Sequence, residues 1–247
     1  MSETWIVGIN PVSVALQGEP ARVHELCIER GSRNRRVAEL ASRARAAGVT
    51  VNECARDRLD QLAGEARHQG VAARYEAAQA HESDLDTLLA AAGDKALLLV
   101  LDGVTDPHNL GACLRSAAAA GATAVIVPKD RAAGLSAVAR KAAAGGAERV
   151  PLVAVTNLAR SLRSLRDAGV WLTGLDGDAD HSLYDGDFRG ACGLVLGGEG
   201  AGLRRLTREG CDFLARIPMP GGMESLNVSV AAGVALFEAV RQRGAGA

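Results

Sequence analysis

From Ala96 onward the chain alternates short, unbroken apolar runs with stretches of helical period: ALLLVLDGV, ATAVIVPK, PLVAVT, VWLTGL, CGLVLGGEG and FLARIPMP are each followed by a helical pattern or a turn. A strand that is apolar at every residue must be covered on both faces, and parallel strands need long crossover connections. The alternation therefore predicts an α/β fold with a mostly parallel sheet and helices on both sides. Ligands of such sheets lie beyond the carboxyl ends of the strands. Attention falls on the residues that follow LLLVLDG, LVLGGEG and RIPMPGG.

A chain of 247 residues is long enough for two domains. Residues 1–76 read as a small α/β domain of their own, carrying WIVGI, PVSVALQ, VHELCIE, TVNECA, DRLDQLAG and GVAARYE around the helical pattern RRVAELASRARAAG. In that pattern Val37, Leu40, Ala41 and Ala44 recur at three- and four-residue spacing, Arg36, Glu39 and Arg43 face outward, and Gly48 stops the helix. Residues 77–95, with SDLDTLLAAAG in an acidic surround, read as the connection, and 96–247 as the second domain.

Composition narrows the classes. With 48% hydrophobic and 23% charged residues the chain has a core to bury, which excludes disorder. No apolar run reaches the roughly 18 residues of a membrane span, and MSETWIVGIN lacks a basic region followed by a long apolar one, so no membrane association and a cytoplasmic location are expected. Cys27, Cys54, Cys113, Cys192 and Cys211 never form a C-x-x-C pair and read as buried thiols. The histidines show no metal-ligand spacing, so no metal is expected.

A net charge of -1 says little about partners, because charge acts where it sits. Between Arg30 and Arg45 stand Arg30, Arg33, Arg35, Arg36, Arg43 and Arg45 against the single acid Glu39. That window could track phosphates, and it could equally be a solvated helix face. Two Trp, two Tyr and three Phe are too few for a broad base-stacking platform.

Three strand ends carry chemistry. After LLLVLDGV comes TDPHNLGACLRSAAAAG, where Asp106 and Pro107 open a helix bearing Asn109, Gly111 and Arg115. An amide and a guanidinium there could bind an anionic group, or be a capping asparagine and a surface arginine. LVLG runs into GEGAGLRRLTREG, whose glycines let backbone amides approach a ligand but match neither a dinucleotide fingerprint nor a phosphate loop. Glu199 in that loop suits an arginine or a cationic ligand better than a phosphate. After ARIPMPGG, the start of a helix holds Ser225, Asn227 and Ser229, and its body repeats Val230, Val234, Phe237 and Val240 at helical spacing.

Taken together, Asn109-x-Gly111-x-x-x-Arg115, LGGEGAGL and IPMPGGMESLNVSVAAG resemble the motifs of the SpoU or TrmH family of ribose 2′-O-methyltransferases. The resemblance covers nearly the whole chain, and DGVTDPHNLGACLRSA, VIVPKD, VTNLAR, RRLTRE and LFEAVRQR are most similar to members acting on a guanosine of large-subunit ribosomal RNA. It implies a SPOUT-type parallel-sheet methyltransferase domain with a deep C-terminal trefoil knot, preceded by a small RNA-binding domain. It implies S-adenosylmethionine as methyl donor, held by backbone groups around Gly197, Ile217 and Leu226, with Leu196, Gly198 and Met219. It also implies a homodimer built on the helix Ser225 to Arg241, and a catalytic set of Asn109, Arg115, Glu199, Ser225 and Asn227. Arg33, Arg35, Arg36, His68 and Gln69 are the residues it assigns to RNA. Three alternatives stand beside it: a transfer RNA enzyme of the same family, an RNA-binding protein without catalysis, and a dinucleotide-dependent oxidoreductase.

Overall fold

The computed structural model describes residues 2–18, 20–64, 67–77, 80–81, 84–200 and 202–244. Ala201 of the glycine loop, Ser83 at the head of the SDLDTLLAAAG pattern and several residues of the 77–95 connection lie outside that set.

The N-terminal unit is a four-stranded mixed sheet in the order β1-β4-β2-β3, formed by β1 (Ser2–Val7), β2 (Val23–Glu29), β3 (Thr50–Cys54) and β4 (Val71–Ala77). β4 runs antiparallel to β1 and β2, and β3 pairs parallel with β2. Helices α1 (Ile9–Gly18) and α2 (Arg35–Ala46) cover one face around Val12, Leu26, Leu40 and Ala44. Helix α3 (Arg56–Ala63) covers the other around Leu59 and Ala72. α2 buries the expected Val37, Leu40, Ala41 and Ala44, is capped by the Asn34 side chain, and ends where Gly48 turns left-handed at φ 77°.

The second unit is an eight-stranded sheet in the order β10-β12-β9-β11-β6-β7-β8-β5. Its strands are β5 (Ala80–His81), β6 (Leu97–Asp102), β7 (Ala124–Pro128), β8 (Leu152–Val155), β9 (Trp171–Leu175), β10 (His181–Ser182), β11 (Cys192–Gly197) and β12 (Phe213–Arg216), all paired parallel. β6 shows why the run is unbroken: Leu97, Leu99 and Leu101 enter one core, Leu98 and Val100 the other. α5 (Pro107–Ala119), α6 (Ala137–Ala143) and α9 (Val228–Gly244) cover the first face, α4 (Leu85–Ala92) and α7 (Leu158–Asp167) the second, and the short α8 (Arg205–Glu209) packs beside α7. Each fully buried leucine of β6 contributes about 1.5–3 kcal/mol, so the strand is a major anchor of the unit.

The 77–95 connection is more than a tether. β5 adds to the sheet edge beside β8, and Leu85 of α4 enters the second core. The feature that places the site is β11, which lies between β6 and β9, both earlier in the chain. Its carboxyl end opens beside those of β9 and β6, and β12 ends on the far side of β9.

Candidate active site

β11 delivers Gly197 next to Asp102, the last residue of β6. The loop beyond folds straight back: the Gly202 amide donates to the Gly198 carbonyl at 3.2 Å, and the two residues form an isolated antiparallel bridge. A Cβ on Gly197 would overlap the Gly202 carbonyl group, and one on Gly198 the Gly103 carbonyl oxygen. Only glycine permits two backbones this close.

An unforeseen carboxylate holds the loop. Asp102 is fully buried; its carboxylate accepts the Arg204 amide at 3.1 Å and Arg204 Nε at 2.5 Å, with Arg204 Nη2 completing the ion pair. The Asp102 carbonyl accepts the Gly198 amide at 2.8 Å. Both ends of the glycine loop are therefore tied to Asp102 at the end of β6, the near end through the Gly198 amide and the far end through Arg204, 102 residues away in sequence.

Asp106, not Asn109, caps α5, accepting the His108 amide at 2.9 Å, with Pro107 in the first turn. Asn109 is free for other work. Its Nδ2 donates to Glu199 Oε1, and its Oδ1 accepts Asn227 Nδ2 at 3.0 Å. Asn227 Oδ1 accepts both the Ser229 amide, at 2.9 Å, and the Ser229 hydroxyl, at 2.6 Å, fixing the start of α9. One hydrogen-bonded chain thus joins all three motif segments. Glu199 is engaged by an amide and not by an arginine.

Below this chain lies a cavity of about 990 Å³. Leu196, Gly197, Gly198, Ile217, Met219 and Leu226 all line it, as do Glu199, Ser225 and Asn227. The sequence reading missed a further wall: Leu175, Asp176, Gly177 and Asp178, at the carboxyl end of β9. Asp176 is held by Arg208 at 3.2 Å, and Arg216 donates to the carbonyls of Ala179 and Asp180. The rule that drew attention to the other strand ends, applied to VWLTGLDGD, would have found this one.

Arg115 is not brought into the hydrogen-bonded chain. It lies six residues past Asn109, about 9 Å farther along α5, exposed and without a side-chain hydrogen bond or ion pair among the described residues. Its backbone is fixed from below by the one-turn segment Gly146–Glu148, since a Cβ on Gly146 would lie 2.9 Å from Arg115 Cα.

In the N-terminal unit Arg33, Arg35 and Arg36 are exposed; Arg35 pairs with Glu39 at 3.0 Å and Arg36 donates to Asn10 Oδ1 at 2.8 Å. Gln69 is exposed in a left-handed turn at φ 53° and accepts the Ile9 amide at 3.1 Å. His68 is different. Its ring is buried, Nδ1 accepting the Gly70 amide at 2.9 Å and Nε2 lying 3.1 Å from Asp60 Oδ1, so it shapes the turn that presents Gln69.

Burial pushes the Cys113 thiol up to about 12, with the nearby Glu199 charge adding to the rise; Cys211 and Cys27 are likewise pushed up to about 12 by burial. Such thiols stay protonated and are poor nucleophiles; of the five cysteines expected to be buried, Cys27, Cys113 and Cys192 are, whereas Cys54 and Cys211 are only partly covered. Among the described residues no group of three His, Cys, Asp or Glu side chains could hold a metal ion, and no helix is long and apolar enough to cross a membrane.

Comparison with known proteins bears on this geometry. Residues 96–237 match the SpoU rRNA Methylase family, and residues 5–81 match the family described as RNA 2'-O ribose methyltransferase substrate binding. The chain is 60% identical over 240 residues to the 23S rRNA (guanosine-2'-O-)-methyltransferase RlmB of Xanthomonas campestris pv. campestris, covering 97% of this chain and 96% of that one. It is 53% identical over 244 residues to the RlmB of Vibrio cholerae, covering 98% of each. Among solved structures, the SpoU methyltransferase AviRb from Streptomyces viridochromogenes in complex with the cofactor AdoMet superimposes with a TM-score of 0.82 at 31% identity, covering 99% of this chain and 92% of that one.

Proposed function

The chain belongs to the SpoU rRNA methylase family, and from that premise we propose that it methylates the ribose 2′-hydroxyl of a specific guanosine in bacterial large-subunit ribosomal RNA, using S-adenosylmethionine. The observation that carries this reading is the Glu199–Asn109–Asn227 chain on the rim of a cavity built from strand ends.

The cavity fits the methyl donor. Gly197 and Gly198 leave backbone where a Cβ would stand, Leu175, Leu196, Ile217 and Leu226 supply apolar walls for a flat base, and Asp178 and Glu224 supply carboxylates for a cationic molecule beside the Asp176–Arg208 pair. When bound, S-adenosylmethionine supplies an electrophilic sulfonium methyl group. The chain's own residues align the ribose hydroxyl and help its proton leave. The displacement needs no metal.

Arg115 is the clamp on the target nucleotide's phosphate and stabilises the charge developing on the ribose oxygen. A guanidinium stays protonated, so the hydroxyl proton passes to water or to a phosphate oxygen of the RNA. Asn109, Glu199, Ser225 and Asn227 hold the rim against which the nucleotide sits. On this reading Arg115→Ala reduces turnover by about 10²-fold or more while calorimetry still records S-adenosylmethionine binding. Lost cofactor affinity would refute it.

The division into an RNA-guiding unit, residues 1–76, a connection, 77–95, and a catalytic unit, 96–247, belongs to the same proposal. Exposed Arg33, Arg35, Arg36 and Gln69 supply its RNA contacts, with His68 as their support. A deep trefoil knot is supported by the insertion of β11 between strands laid down earlier, followed by a return through β12 to α9. A homodimer is supported by α9, which buries Ala232, Ala235, Leu236 and Ala239 inward yet leaves Val230 and Phe237 about half exposed on the other side. The proposed substrate puts its working place in the cytoplasm.

The deciding experiment is transfer of a labelled methyl group from S-adenosylmethionine to purified large-subunit ribosomal RNA and, separately, to transfer RNA, with alkali-resistant linkages mapped. Label at one guanosine ribose of the ribosomal RNA is expected. Label on transfer RNA alone would keep the chemistry and overturn the substrate.

A further inference from the structure

Between α6 and β8 the chain makes an unusual passage. Ala144 and Gly145 are both left-handed, at φ 51° and 95°, and they lead into the one-turn segment Gly146–Glu148. The two adjacent glycines face different units. A Cβ on Gly145 would lie 2.6 Å from Val14 Cγ2 of α1 and 3.7 Å from the Asn10 carbonyl oxygen, both in the N-terminal unit. A Cβ on Gly146 would lie 2.8 Å from the Leu114 carbonyl oxygen and 2.9 Å from Arg115 Cα.

The passage is locked by a charge pair. Arg140 Nη1 of α6 and Glu148 Oε1 meet at 2.8 Å, and both side chains are almost completely buried, at 5% and 1% exposure. Arg140 Nε and Glu148 Oε2 have no other partner among the described residues. Such a pair contributes little net stability, but losing one member leaves the other charged and buried, so it fixes a geometry.

On its other side α1 is bonded to the RNA-facing surface. Arg36 Nη2 donates to Asn10 Oδ1 at 2.8 Å, and Gln69 Oε1 accepts the Ile9 amide at 3.1 Å. The contacts are therefore continuous from Arg36 and Gln69, through the first turns of α1, across Gly145 and Gly146, to the backbone that carries Arg115.

We propose that the junction Ala144–Glu148, locked by the Arg140–Glu148 pair, couples RNA engagement on the N-terminal unit to the placement of Arg115, which makes Val14, Arg140 and Glu148 positioning residues for methyl transfer. The inference rests on the reading of Arg115 as the phosphate clamp. A rate can respond to such a junction without any loss of affinity, because a 1 Å misplacement of a reacting group costs about 10²-fold.

The test uses the full-length protein with large-subunit ribosomal RNA under single-turnover, saturating conditions, and measures RNA and S-adenosylmethionine affinities in parallel. Val14→Ala and Glu148→Gln are expected to slow transfer about tenfold, equivalent to about 1.4 kcal/mol, with both affinities within about twofold of the parent. In a cycle with Arg36→Ala the rate losses of Arg36→Ala and Val14→Ala are expected to overlap, because they act along one route. Glu148→Gln strands Arg140, so should that variant not fold, Val14→Ala, which removes only two methyl groups, decides the question. Parent-like rates in folded Val14→Ala and Glu148→Gln, strictly additive losses in the cycle, or a fall in RNA affinity in place of rate in Val14→Ala or Glu148→Gln would each overturn the coupling. Arg115→Ala in the same assay separates the two readings. An inactive Arg115→Ala beside a fully active Val14→Ala sinks the coupling alone, whereas an active Arg115→Ala sinks the clamp and removes the coupling's target with it.

Discussion

At the scale of single residues, the site depends as much on side chains that are missing as on those present. Gly197 is the sharpest case, because a methyl group there has nowhere to go but into the Gly202 backbone. Gly197→Ala is expected to push the loop off β6 and lower S-adenosylmethionine affinity at least about tenfold, with a loss of about 1–3 kcal/mol in stability, measured by calorimetry and thermal unfolding. A parent-like affinity would show that the loop does not form the cofactor wall. Much of this was legible. The three motif segments declared themselves as strand ends, and the structure ties Asn109, Glu199 and Asn227 into one chain. Asp102 was not legible, since it reads as the polar end of a strand, and its partner Arg204 sits in a run of ordinary helix-entry arginines 102 residues away. A buried ion pair between distant segments leaves no local periodicity to read. Of the five thiols expected to be buried, Cys54 and Cys211 are only partly so; with the buried Cys113 pushed up to about 12, alkylation at pH 8 should leave it unmodified until the protein unfolds, as peptide mass spectrometry would report.

At the scale of elements, α9 shows how a weakly amphipathic helix is held in place. Arg243, in its last turn, donates to the carbonyls of Phe188, Lys95, Ala96 and Gly190, stitching the helix to the amino ends of β6 and β11. Arg243→Ala would leave partly buried carbonyls without partners and is expected to cost about 2 kcal/mol or more, seen as a thermal midpoint lowered by several degrees. No change would mean that water replaces the guanidinium at no cost. One turn earlier, Glu238 receives Arg241 and Gln242, and Gln242 in turn bonds the Phe188 amide and the Gly186 carbonyl. Chiefly because of the hydrogen bond from Arg241, the Glu238 carboxyl titrates below its ordinary value of 4.5. A depressed carboxylate contributes stability that is present above that value and lost as pH falls through the lower one, so this latch weakens only in acid. The helical and strand runs themselves were legible from the period of their apolar residues, as α2 and β6 show. The sheet order was not, because no run records that β11 inserts between β6 and β9.

At the scale of the whole molecule, two surfaces look outward with opposite chemistry. The exposed Val230 and Phe237 of α9 are apolar, as a self-complementary contact would require. Phe237→Arg is expected to convert a dimer to a monomer in sedimentation velocity, and a parent already monomeric at micromolar concentration would remove the proposal. Arg33, Arg35 and Arg36 form the other surface. Replacing all three by Ala should weaken RNA binding and flatten its salt dependence by about 0.7–0.9 in slope per lost phosphate contact; an unchanged slope would move the RNA interface elsewhere.

The central position of β11 also has a history in time. β6 starts at Leu97 and the strand that closes its open side starts at Cys192, 95 residues later. At bacterial elongation rates of about 5–20 residues per second, the ribosome needs roughly 5–20 s to supply it. Through that interval a strand buried at every residue in the finished fold waits with one edge bare, a template for any other nascent strand nearby. An enzyme proposed to modify ribosomal RNA would thus be exposed to misassembly longest while it is still being made on a ribosome, and slowed elongation between these two strands should raise its demand for chaperones.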